Sequence, residues 1–182
     1  MKKIAIIGTA GRDKTKPMTL GLWQCMVEHA KSCIPQDSHL ISGGAAWADH
    51  LAVRLFLDGH VPFLTLHLPA PMDCEFIGPY KSAASAANYY HELFSARIGV
   101  NTLDEIIQAS NMIGCHGTVQ PAQAGYGGMF ARNALVAKEA EGMLAYTFGE
   151  GNIPADGGTL DTWNKCQCDP IYKMHVSLPI IY

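Results

Sequence analysis

Short apolar runs that end in glycine or proline, each followed by a stretch of helical periodicity, constrain this chain more than any other feature. "KKIAIIG" (2–8), "SHLISGG" (38–44), "VPFLTLHLP" (61–69), "MLAYTF" (143–148) and "KMHVSL" (173–178) are strand-sized and rich in branched or apolar residues. Between them lie helical stretches. The clearest is "AAWADHLAVRLFLDGH" (45–60), where Leu51, Ala52, Leu55 and Phe56 fall on one face and Trp47, His50, Arg54 and Asp58 on the other. "KPMTLGLWQCMVEHAKSC" (16–33) reads as an earlier helix with Pro17 near its first turn. Strands alternating with helices predict an α/β fold: a Rossmann-like parallel sheet of about five strands with helices on both faces. The expected strands are 3–7, 38–42, 62–68, 142–148 and 174–178.

The middle of the chain is less regular. Residues 70–81 and 114–127 read as loops, while "SAASAANYYHELFSAR" (82–97) and "TLDEIIQASNM" (102–112) read as helices. Two later helices are "GMFARNALVAKEAEG" (128–142) and "LDTWNKCQ" (160–167). There is no internal repeat, low-complexity tract or linker, so the 182 residues are expected to form one domain, 1–182.

Composition narrows the function classes. Hydrophobic residues make up 48% of the chain and charged residues 16%, which suits a globular fold rather than a disordered one. No apolar run approaches the ~20 residues that span a bilayer, and the run after Met1 ends too soon for a signal peptide. A cytoplasmic protein without a membrane partner is expected. The net charge of −3 argues against a nucleic-acid partner held by phosphate contacts. Six cysteines without a secretion signal read as reduced thiols. "CQC", at Cys166 and Cys168, lacks a second ligand pair at suitable spacing, so no metal and no cofactor are expected.

Three glycine-bearing segments stand at strand or helix ends: "GTAGR" (8–12), "SGGAAWADH" (42–50) and "DGGTLDTW" (156–163). Glycine at a strand-to-helix turn lets a ligand approach the backbone, and the helix N-terminus favours an anion, usually a phosphate. Thr9, Ser42 and Thr159 add hydroxyl donors. Together these segments predict a phosphate-bearing ligand beyond the carboxyl ends of the strands.

The order of these motifs resembles the SLOG superfamily of Rossmann-like nucleotide-binding proteins. "SGGAAWADHLA" is similar to the "SGGA-x-G-x-D-x-x-A" segment of DprA and YpsA-like proteins. "MFARN…EAEGMLAYTF…DGGTLDTW" is similar to the "M-x-x-R-K…PGG-x-GT-x-x-E" segment of the LOG enzymes. The motifs cover about a quarter of the chain, and residues 70–126 match neither relative. The resemblance implies a small-molecule nucleotide partner, phosphorylated or NAD-derived, and a homo-oligomer. It places Gly8, Thr9, Arg12, Ser42, Gly43, Gly44, Gly157, Gly158 and Thr159 around the ligand. Arg132 falls at the ligand-contacting arginine of the LOG pattern, and Asn133 replaces its lysine. The alternative for Arg132 is a solvated helix residue or an ion-pair partner of Glu139 or Asp161. Asp49 reads either as a ligand contact or as a first-turn carboxylate on its own helix dipole. Trp47 reads either as a base-stacking residue or as packing under a loop.

One departure bears on activity. Where the LOG motif has its glutamate, this chain has Thr162; Asp161 stands one position earlier, turned by about 100° on a helix. The expectation is therefore a binder, a sensor or a sequestering protein. The first alternative is a LOG-like hydrolase of N-glycosidic bonds, with Asp161, His91 or Glu75 as replacement acid or base. His91 and Ser95 stand four apart on one expected helix face. The second alternative is DprA-like binding of single-stranded DNA.

Overall fold

A computed structural model describes residues 1–155 and 157–179. Its sheet contains β1 (Lys3–Gly8), β2 (His39–Ser42), β3 (Phe63–Leu68), β4 (Cys115–Val119), β5 (Gly142–Thr147) and β6 (Lys173–Ser177). Six helices connect them: α1 (Leu20–Cys33), α2 (His50–Leu57), α3 (Ala83–Ile98), α4 (Thr102–Ser110), α5 (Gly127–Glu139) and α6 (Gly158–Lys165). All neighbouring strands pair in parallel, in the order β4-β3-β2-β1-β5-β6. The chain builds outward from β1 to β4, then returns to pair β5 on the other side of β1. That reversal is a topological switch point, where strand-end loops diverge and leave a crevice.

Alternation along the strands divides the core between two faces. Ile6, Leu40, Leu64, Leu144 and Tyr146 pack with α1, α2, α3 and α4, whereas Ala5, Ile7, Ile41, Met143 and Ala145 pack with α5 and α6. Helices therefore cover both faces, as a sheet of buried parallel strands requires. Helix starts follow local chemistry: Thr19 caps α1 by accepting from the Leu22 N–H, and Asn101 caps α4. Ser82 and Ser85 form a reciprocal capping box on α3. Pro17 lies ahead of α1, outside the helix in which its sequence placed it.

The sheet has six strands rather than about five. The additional strand, β4, lies in the stretch expected to be a loop from 114 to 127. "CHGTV" is an exposed edge strand with mixed polarity, so it lacks the apolar run that marks the buried strands. The expected polar face of the second helix also differs. Residues Trp47–Asp49 form a 3₁₀ turn with Trp47 at φ 63°, and the helix proper starts at His50. That turn rotates Trp47 inward against Phe94, with ring centroids 4.3 Å apart. Trp23 meets both rings, and His50 is fully buried beside them. The aromatic cluster offsets the left-handed strain at Trp47 with buried apolar area. No helix among the described residues is long and apolar enough to cross a membrane.

Candidate functional site

A cavity of about 590 Å³ opens at the carboxyl ends of β1 and β5, at the switch point. Its walls are the loop after β1, the end of β5 with Phe148, and the first turns of α5 and α6. The loop after β1 turns sharply at Gly8, whose φ of 156° and lack of a Cβ allow it to pass the Tyr146 carbonyl and Ala48. The Thr9 N–H donates to the Tyr146 carbonyl at 2.8 Å, and the Thr159 hydroxyl donates to the Gly8 carbonyl at 3.0 Å. The first and last of the glycine segments are thereby joined across 151 residues.

Of the residues singled out in the sequence, Gly8, Thr9, Arg12, Asp49, Arg132, Asn133, Gly157, Gly158 and Thr159 line this one cavity. Asp156, which opens the quoted third segment, lies outside the described residues. Ser42, Gly43 and Gly44 sit behind the cavity floor. Ser42 Oγ donates to the Asp49 carbonyl at 2.8 Å and accepts from the Gly44 N–H at 3.0 Å, locking the second glycine turn. Trp47 is in the core and does not reach the ligand space.

Arg132 and Asp49 form the floor. Both are nearly inaccessible, at 6% and 7% exposure. Arg132 Nη1 donates to the Gly43 carbonyl, and its Nε donates to Asn133 Oδ1 at 2.9 Å. Asp49 is held by the backbone amides of Gly8, Ala45 and Gly43. Burial pushes the Asp49 carboxyl above its usual range, while the Arg132 cation and the three amides oppose that rise. Burial likewise lowers Arg132, and Asp49 supports its charge. Neither a solvated Arg132 nor a pair with Glu139 or Asp161 is present. Gly43 has no room for a side chain, because a Cβ there would fall 2.6 Å from the Arg132 guanidinium.

The cations that do face solvent are at the rim. Arg12 lies 5.1 Å over the Tyr90 ring, with Nη2 3.7 Å from Met129 Sδ, and Lys16 Nζ lies 5.8 Å over Phe148. Opposite them, Tyr126 and Phe130 are 49% and 60% exposed, one turn apart at the start of α5. Among the described residues no side chain caps α6, whose N-terminus faces the cavity. Lys16, Tyr126, Phe130 and Phe148 are not among the residues singled out from the sequence. A single cation or aromatic residue carries no local pattern, and only the fold gathers them.

The three candidate acids or bases do not line the cavity. Asp161 pairs with Lys165 at 2.7 Å on the outer face of α6. Glu75 accepts from Asn88 on an exposed loop, at 3.4 Å. His91 is fully buried, with Nδ1 2.9 Å from the Thr102 hydroxyl and Nε2 3.0 Å from the Gly44 carbonyl. The carbonyl can only accept, so Nε2 carries the proton and Nδ1 accepts from Thr102. Thr162 does reach the cavity wall, but it is buried and its hydroxyl donates to the Gly158 carbonyl at 2.8 Å. No group of three or more His, Cys, Asp or Glu residues that could hold a metal occurs among the described residues.

No family model matches the chain. The fold is similar to the solved structure of DNA processing protein A (DprA) from Helicobacter pylori, described for its single-stranded DNA binding mode. That likeness has a TM-score of 0.50 at 18% identity and covers 92% of this chain and 74% of the other. The argument from net charge against a nucleic-acid partner is thereby overturned. Net charge averages over the whole surface, whereas Arg12, Lys14 and Lys16 are concentrated on one exposed loop. In sequence, the chain is 35% identical to the uncharacterized protein R261 of Acanthamoeba polyphaga mimivirus, over 98% of this chain and 97% of that protein. At that identity and near-complete mutual coverage, this chain belongs to the same family as the mimivirus protein.

Proposed function

We propose that residues 1–182 are one SLOG-type domain that binds a nucleotide unit in the switch-point crevice. The observation that carries the reading is the convergence of the Gly8 turn, the glycine-bearing start of α6 and two rim cations on one cavity. The phosphate is received by Arg12, Lys16 and the α6 backbone. Arg132 is the support of the floor, with Nη1 and Nε engaged by Gly43 and Asn133. The base lies against Tyr126 and Phe130.

Two forms of ligand present such a unit. A free phosphorylated or NAD-derived nucleotide suits the depth of the cavity. Single-stranded DNA suits the exposed aromatic pair beside cations, and the likeness to a fold described for that ligand weighs toward it. Hydrolysis has less support. The carboxylates lining the crevice among the described residues are Asp13 and Asp49. Asp13 accepts from the Thr15 hydroxyl and N–H, and Asp49 is held by three amides.

The test is titration of the protein against a labelled oligothymidylate and, separately, against nucleoside mono- and diphosphates. Arg12→Ala and Lys16→Ala should each weaken binding about tenfold, and more steeply at low salt. Phe130→Ala should weaken it by about 1–3 kcal/mol if a base stacks there. Binding of the oligonucleotide alone selects the strand, and binding of mononucleotides alone selects the free ligand. Binding of neither, by a folded protein, ends the proposal.

A further inference from the structure

We propose that Cys166 and Cys168 form a redox-active dithiol that takes up the oxidising equivalents of a low-molecular-weight disulfide. The two sulfurs are 3.2 Å apart, one on the residue that ends α6 and the other two residues on. They lie at the opposite end of α5 and α6 from the nucleotide crevice, beside a second cavity of about 730 Å³. Cys168 lines that cavity and is partly exposed, together with Lys138, Lys165, Gln167 and Tyr172. Cys166 lies behind it at 4% exposure, with Sγ 3.6 Å from the Ala140 carbonyl.

The arrangement has the two parts that disulfide exchange needs, an accessible attacking sulfur and a shielded sulfur within reach to resolve the product. The distance left to a disulfide bond is on the order of 1 Å. The cavity wall is of mixed charge, with Lys138 and Lys165, the latter paired with Asp161, beside Glu141 and Asp169. Lys173, whose Nζ donates to the Trp163 and Cys166 carbonyls at 2.7 and 2.8 Å, adds positive charge beside the pair. Burial and the neighbouring Cys166 nevertheless push the Cys168 thiol up to about 11, so the exchange is slow at neutral pH.

The chemistry balances in two exchanges. Cys168 Sγ, after losing its proton to water, attacks one sulfur of R–S–S–R. The S–S bond breaks, and the first R–S⁻ leaves and is protonated. Cys166 Sγ, likewise deprotonated, attacks Cys168 Sγ and expels the second R–S⁻. The protein loses two electrons and two protons, and the small disulfide becomes two thiols.

The other cysteines supply internal references. Cys74 is exposed, and burial pushes the Cys115 thiol up to about 11. The reduced full chain is incubated with glutathione disulfide at rising concentration until Cys74 is fully modified, then acid-quenched, alkylated and mapped by mass. The expected product is a peptide carrying Cys166 and Cys168 that has lost two hydrogens and holds no glutathione. Cys166→Ser should leave a stable glutathione adduct on Cys168, whereas Cys168→Ser should leave Cys166 unmodified. The proposal is overturned if the natural peptide remains a dithiol once Cys74 is modified. A glutathione adduct on Cys168 of the natural chain that never closes overturns it as well. Both readouts come from the natural chain, so neither requires the variants to fold.

Discussion

Arg132→Ala should lower the unfolding free energy by about 3–5 kcal/mol, an effect on the fold that appears without any ligand. The side chain is 6% exposed, and its Nη1 and Nε bind the Gly43 carbonyl and Asn133 Oδ1. Truncation leaves the Gly43 carbonyl without that donor and removes the cation that helps keep Asp49 ionised. Asp49 then relieves part of the cost by taking up a proton, which puts the expected loss toward the lower end of the range. Urea unfolding at pH 7 measures it. Replacing both partners, as in Arg132→Met with Asp49→Asn, should recover a substantial part of the loss, because no buried charge then lacks its partner. A single Arg132→Ala variant within 1 kcal/mol of the natural protein would return the residue to the solvated helix face.

This recasts what a LOG-like sequence position means here. An arginine at the start of a motif helix reads as a phosphate ligand, because a planar fork suits a phosphate. Here the fork is turned toward the protein itself by a carbonyl 89 residues away in sequence. In the proposed function the anion-binding role falls to Arg12 and Lys16, which stand at the rim. The same logic applies at Thr162. A glutamate there would replace a buried hydroxyl that already satisfies the Gly158 carbonyl, and it would add a carboxylate near Asp49. Placing the glutamate of the LOG pattern at this position therefore costs fold stability before it can supply catalysis.

The sheet was largely legible because a strand buried on both faces is written as a continuous apolar run. "KKIAIIG" and "MLAYTF" announced β1 and β5 to within a residue or two, and the glycine segment that begins at the end of β1 marked one wall of the switch-point crevice. β4 was not legible, since an edge strand such as "CHGTV" is exposed and satisfies no such pattern. Trp47 and His50 were misread for a different reason. Helical periodicity assumes a regular helix, and the left-handed residue at Trp47 breaks the phase just before α2 begins. Within the site, the glycine turns could be recognised locally. The engagement of Arg132 and the gathering of Lys16, Phe130 and Phe148 depend on contacts between distant segments.

Lowering the pH from 7 to 5 should destabilise the protein by about 2 kcal/mol, with His91 as the largest identified source. His91 is fully buried between Thr102 and the Gly44 carbonyl, and burial, with His50 nearby, holds its pKa down at about 3 against 6.5 for the free side chain. Above 6.5 the imidazole is neutral in both states and its contribution is intact. As the pH falls below 6.5, the unfolded chain binds a proton that the folded chain refuses, and stability is lost until the folded value is reached. From 6.5 to 5 the loss is about 1.5 pH units at 1.36 kcal/mol each, or roughly 2 kcal/mol. Burial also lowers His29, His39, His50 and His67, which work in the same direction over the same window. Asp49 opposes them: its raised carboxyl takes up a proton more readily when folded, which returns stability as the pH falls through that value. One raised carboxyl acts against five lowered imidazoles, and a net loss is the expected outcome. Urea unfolding at pH 7 and pH 5 gives the difference directly, and His91→Asn should shrink it by most of the 2 kcal/mol while lowering stability at pH 7. A stability that is level or rising between pH 7 and pH 5 would mean that His91 is open to solvent, and that the α3–α4 elbow does not seal the back of the glycine turn at Gly44.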